Sequence, residues 1–175
     1  AFKADWVTMA SRPVHWPSVL RDHGNSNSPA WALFAAPIAS LLSPTPTAQI
    51  IFASLDVILM AILWVFAERT FGPRPAAIGL VLWSSMPIVF DYLVGSFLRW
   101  DWLFAVGMSA CFLKRERYAT AGVFFGYAIA TKLFPVFFGA ALLFSATRQC
   151  LRARRVLPKY RRFALGTVTA LLAAV

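Results

Sequence analysis

The run ATAGVFFGYAIATKLFPVFFGAALLFSA, residues 119–146, decides how the chain folds. As one helix its 28 residues would be about 42 Å long, more than the roughly 30 Å of a bilayer's hydrocarbon core, with Lys132 and Pro135 near the middle. A proline in a helix interior removes a hydrogen bond and crowds the preceding turn. A lysine near the bilayer centre costs about 2.5–3.5 kcal/mol on insertion scales. A hairpin avoids both: the chain rises to Lys132, turns at Pro135 and descends. Each leg is then only about 20 Å long and needs shielding by neighbouring helices or a thinned bilayer. A single kinked span is the competing reading, and it sends the segment after Ala146 to the opposite side.

The surrounding charges favour the hairpin. It places Arg69, Arg74, the Lys114-Arg115-Glu116-Arg117 cluster and the seven basic residues from Arg148 to Arg162 on one side, twelve of the seventeen Lys and Arg in the chain. Basic residues confined to the gaps between apolar runs mark the cytoplasmic side. Parity then puts residues 1–28, the Ser43–Pro46 turn, the Arg99/Asp101 corner and Lys132 on the outer side. Composition agrees with a membrane protein: 59% hydrophobic and 14% charged residues lie outside the range of soluble domains. The net charge of +10 does not mark a nucleic-acid binder, because the basic residues do not form one solvated face. Cys111 in an apolar run and Cys150 in a basic one make neither a disulfide framework nor a metal quartet.

Along the rest of the chain, residues 1–28 are polar and turn-rich and read as an extramembrane outer loop, with Trp6 and Trp16, and Trp31 just beyond, suited to an interface. Residues 29–175 read as a helical transmembrane domain truncated at both ends: the chain opens on Ala1 and stops inside the apolar run Leu165–Val175. Pro29–Leu42, about 21 Å as a helix, is too short to span comfortably and lies in the interface or re-enters. Ala48–Ala67 is long enough to cross once, Ala76–Val94 returns with Pro87 as a kink, and Trp102–Leu113 is a compact leg. The expected fold is an all-α polytopic bundle with short or re-entrant helices, in a multi-pass protein of a bacterial inner membrane.

Ionisable groups beside such runs must sit at an interface or line a polar cavity, which makes them the functional candidates. Asp22-His23-Gly24-Asn25 offers a carboxylate, an imidazole and a turn just before the half-helix. It is either a general base with neighbouring substrate contacts or an Asx-rich turn capping the helix from Pro29. Asp5 is a second loop carboxylate. Arg99 and Asp101 flank Trp100, where a guanidinium either grips phosphate oxygens, oriented by Asp101, or anchors the interface. Lys132 either snorkels or contacts phosphate. Asp56, seven residues after Gln49, reads better as a buried structural contact than as a relay. Gly122 and Gly126 form a small-xxx-small pattern, a packing signal. The basic run Arg148 to Arg162 either holds its loop in the cytoplasm, the ordinary role of such a run, or meets anionic lipid headgroups.

In its sequence of an outer loop, the half-helix Ser28-Pro29 through Ala36-Pro37-Ile38-Ala39, a span, and Ala121-Gly122-Val123-Phe124-Phe125-Gly126-Tyr127-Ala128 running into Lys132-Leu133-Phe134-Pro135, the chain resembles the GT-C glycosyltransferase superfamily. The similarity is to the bacterial enzymes that take mannose or arabinofuranose from polyprenyl phosphates. Two features depart from that pattern: Asn27-Ser28-Pro29 stands where Tyr-Pro-Pro is usual, and the acidic residue is usually found after a first transmembrane helix. The resemblance implies sugar transfer on the outer face from a lipid-linked donor, with a carboxylate base, Asp22 or Asp5, or one preceding Ala1. Arg99 and Lys132 would then hold the lipid phosphate, with Asp101, His23 and Asn25 as further substrate contacts. No cofactor is implied. The rival class is a transporter or non-catalytic scaffold, in which Asp56, Asp91 and Lys132 serve permeation or helix pairing.

Overall fold

The computed structural model describes residues 28–43, 45–85 and 97–174. Among these residues there are seven helices and no strand: α1 Pro29–Ala39, α2 Pro46–Phe71, α3 Pro73–Ser84, α4 Asp101–Lys114, α5 Tyr118–Thr131, α6 Val136–Ala153 and α7 Pro158–Ala173. Their starts follow from local chemistry. The Ser28 hydroxyl accepts the Trp31 N–H at 3.2 Å and the Thr45 hydroxyl accepts the Ala48 N–H at 3.1 Å. Each is followed by a proline at the first helical position, where the missing N–H costs nothing. Between α2 and α3, Gly72 adopts φ +90°, which a side chain would resist, and Pro73 restarts the helix.

With 26 residues, about 39 Å, α2 is the one described helix long and apolar enough to cross a membrane. Its Ile50, Val57, Ile58, Ile62 and Val65 are exposed, as a lipid-facing surface requires. Of the stretch Ala76–Val94, expected as a return span, the described part is helical in α3 and ends at Ser84, and the part with Pro87 and Asp91 lies outside the described residues. The basic segment is more helical than a cytoplasmic loop: α6 runs on through Arg148 and Arg152 to Ala153. Arginine is a good helix former and offsets the negative C-terminal end of the helix dipole.

Side-chain contacts fix the relative directions. Asp56 meets the backbone of Arg99 and Trp100, Phe66 meets Phe112 with ring centroids 5.3 Å apart, and Arg115 Nε donates to the Thr70 hydroxyl at 2.9 Å. Hence α2 and α4 run parallel. The turn through Arg115 and Glu116 (φ +59°) reverses the chain into α5, tied back where the Ser109 hydroxyl donates to the Ala121 carbonyl at 2.9 Å.

The 119–146 segment is a reversal. α5 ends at Thr131, Lys132 is extended (φ −142°, ψ 134°), and Pro135 caps α6. A Cβ at Gly139 would lie 2.8 Å from the Phe125 ring, although fourteen residues of continuous helix would separate those positions by about 21 Å. α7 then packs parallel to α5. A Cβ at Gly122 would lie 2.1 Å from the Phe163 carbonyl oxygen, one at Gly126 2.5 Å from that of Thr167, and one at Gly166 2.2 Å from that of Ala119. In lipid there is little hydrophobic drive between helices, so such backbone approach supplies the packing energy. The parallel α5/α7 pair brings Arg115, Arg117 and the Arg154–Arg162 group to one end of the bundle.

Candidate active site

The opposite end collects the polar groups. Asp56, one third of the way along α2, is 2% exposed, and its two carboxylate oxygens each accept one backbone N–H, from Arg99 and from Trp100, both at 3.0 Å. This clamp holds a corner that the backbone alone would resist. Leu98 sits at φ +49°, a left-handed conformation costing a non-glycine residue about 1–2 kcal/mol. Burial of Leu98 and Trp100, and a 3.0 Å hydrogen bond from the Trp31 indole N–H to the Leu98 carbonyl, hold it further. The Arg99 side chain stands exposed on this fixed backbone. Asp56 is therefore structural, as expected from its burial, and its partner is the corner's backbone.

Asp101 opens α4, where a carboxylate complements the positive end of the helix dipole. It is 2% exposed; one oxygen accepts the Trp102 N–H at 2.7 Å and the other the Tyr127 hydroxyl at 2.8 Å. Lys132 follows the last residue of α5, a position favourable to a cation. Its ammonium lies in the field of both Asp101 and Arg99. Partial burial pushes its pKa below the usual 10.5; Asp101 opposes that shift and Arg99 adds to it. Arg99 and Asp101 of one corner and Lys132 from the end of α5 thus form one electrostatic cluster.

The start of α1 closes on the same cluster. The Ser28 hydroxyl donates to the Ala130 carbonyl, and its backbone N–H reaches that of Thr131 at 3.5 Å. Phe34 packs edge-on against Tyr127 at 5.0 Å. Trp83, Trp100, Trp102 and Phe134 form an aromatic wall with successive centroids 6.1, 6.4 and 4.5 Å apart.

Of the residues singled out in the sequence, Arg99, Asp101 and Lys132 come together; Asp5, Asp22, His23 and Asn25 lie outside the described residues. Two contributors were missed. Tyr127 was readable only with the α4–α5 register in hand, since a tyrosine in an apolar run carries no signal of its own. Ser28 was read as part of the helix entry, and its tie to α5 is a long-range contact. Among the described residues no three His, Cys, Asp or Glu side chains gather as a metal would require.

Neither a curated protein nor a solved structure matches the chain. The model of glycosyltransferase family 87 matches residues 26–175, which takes in every described helix. Membership favours catalysis over the transporter or scaffold alternative, and the chain belongs to glycosyltransferase family 87, a GT-C-type family of membrane glycosyltransferases.

Proposed function

We propose that this multi-pass protein transfers a sugar from a polyprenyl-phosphate donor to an acceptor hydroxyl at the outer face of a bacterial inner membrane, and that the Arg99–Lys132 cluster holds the donor phosphate. The observation that carries this reading is the convergence of two cations with the buried carboxylates Asp101 and Asp56 at one end of a bundle whose other described basic residues gather at the opposite end. In the reaction the bond from the anomeric carbon to the phosphate oxygen breaks, and its electron pair goes to the leaving phosphate. The acceptor oxygen bonds to the anomeric carbon and its proton passes to a carboxylate. Charge grows on the phosphate as it leaves, so cations already in place stabilise the transition state more than the ground state.

Arg99 suits a bidentate grip on phosphate oxygens and Lys132 a point-charge contact. Asp101, braced by Tyr127, orients the two cations. Asp22 is our choice for the base. It precedes Ser28 by six residues in the sequence. Asp5 is the alternative base, and His23 and Asn25 are assigned to sugar or acceptor contacts. Activity of the full-length enzyme with a lipid-linked donor tests this. Arg99→Gln and Lys132→Gln should each lower kcat/KM at least about a hundredfold, as loss of a transition-state electrostatic contact does. Asp22→Asn should abolish turnover, and Arg148→Gln at the opposite end should have no effect. Full activity in an Arg99→Gln/Lys132→Gln double variant rejects the proposal.

A further inference from the structure

A groove of about 1180 Å³ opens between α6 and α7, with Phe125 of α5 at its upper end. It exists because the three helices pack unequally. The glycines bring α5 and α7 into backbone contact, whereas α6 has no buried residue. α6 is tethered to α7 at the basic end, where the Lys159 ammonium donates to the Gln149 side-chain oxygen at 2.8 Å. The gap so left is lined by apolar groups such as Val136, Ala140, Leu143 and Phe163, and by Arg154, Arg155 and Arg161 from the basic end of the bundle. The turn carrying the first two is fixed: Arg154 is left-handed at φ +51°, and the Arg154 and Arg155 N–H groups donate to the Leu151 and Cys150 carbonyls, both at 3.2 Å.

Charge selects the occupant. Residues 117–175 contain no Asp or Glu. No acidic side chain is among the groove's lining residues, and the three guanidinium groups edge apolar walls. Basic pockets between helices on the cytoplasmic side are where anionic headgroups bind. We propose that this groove binds an anionic phospholipid, its acyl chains along α6 and α7 and its phosphate among Arg154, Arg155 and Arg161. The site is separate from the Arg99–Lys132 cluster and does not depend on the sugar-transfer reading.

The test uses the full-length protein in phosphatidylcholine nanodiscs containing chain-spin-labelled phosphatidylglycerol or phosphatidylcholine, with the motionally restricted fraction as readout. Selective restriction of phosphatidylglycerol is expected. The Arg154→Gln/Arg155→Gln/Arg161→Gln variant should lose that selectivity, about a hundredfold in affinity for three basic contacts. Ala140→Trp, which fills the groove, should reduce the restricted fraction without touching the arginines. Thermal unfolding of both variants, measured alongside, should match the parent and so report an intact fold. Equal restriction of the two lipids, or an unchanged triple variant, overturns the proposal. So does a density map of the full-length protein in which another segment of the chain occupies the space between α6 and α7. Displacement of the label by a polyprenyl phosphate that depends on Lys132 and not on the three arginines would make the groove the donor's and equally overturn it.

Discussion

Replacing Asp56 by alanine strips both acceptors from the Arg99 and Trp100 N–H groups, which it holds at 3.0 Å each. An orphaned buried donor costs about 1–3 kcal/mol, so the two together cost about 2–6 kcal/mol. Part of this is offset, because the carboxylate no longer has to be kept out of water. A net loss of about 2 kcal/mol or more is expected for Asp56→Ala, and about half as much for Asp56→Asn, which keeps one acceptor and turns an NH2 group toward the other donor. The left-handed Leu98 adds to the effect, since the corner then lacks the contact that holds its strained backbone. Function should suffer more than stability: Arg99 loses its fixed origin, and kcat/KM should fall at least about tenfold even in the milder Asn variant. Thermal unfolding of the purified full-length variants in detergent, with donor turnover on the same samples, measures both quantities. An Asp56→Ala protein within about 0.5 kcal/mol of the parent and fully active would refute the clamp.

Three further outcomes are expected. The pKa of Lys132 lies below 10.5, and phosphate binding needs the ammonium, so kcat/KM should fall as pH rises through that lowered value. Asp101 holds the proton on and Arg99 drives it off, so Asp101→Asn should move this limb to lower pH and Arg99→Gln to higher pH; shifts of the same sign in both would deny the cluster. Gly122→Ala places a Cβ 2.1 Å from a backbone oxygen that cannot rotate away, so α5 and α7 must separate, at about 1–3 kcal/mol by thermal unfolding; an unperturbed variant would contradict the close packing. In sealed vesicles, cysteines introduced as Arg99→Cys and Lys132→Cys should be labelled from the outer side and Glu116→Cys only from the inner one, whereas labelling of all three from one side removes the outer-face assignment.

The hairpin was legible in the sequence because it depends on one-dimensional quantities: a run too long for the bilayer, a proline and lysine at its centre, and basic residues at both lower ends. Gly122 and Gly126 were legible as packing positions for the same reason, but their partners on α7, Phe163 and Thr167, and Gly166 facing Ala119, were not, since pairings so distant in sequence leave no local trace. Arg99, Asp101 and Lys132 were flagged by the cost of charge beside apolar runs, a strong signal. What the sequence left open was their mutual arrangement. Asp56 clamping the Arg99 backbone, Tyr127 bracing Asp101 and Ser28 closing on Ala130 are contacts between residues 43, 26 and 102 positions apart, set by helix packing and carried by residue types with many other uses.

The most direct measurement is an electron cryo-microscopy map of the full-length protein with a non-transferable polyprenyl phosphonate. The phosphonate is expected between the Arg99 guanidinium and the Lys132 ammonium, with its prenyl chain leaving toward lipid. The phosphonate bound instead among the arginines at the other end of the bundle, or away from both residues, would contradict the assignment of this cluster to donor phosphate.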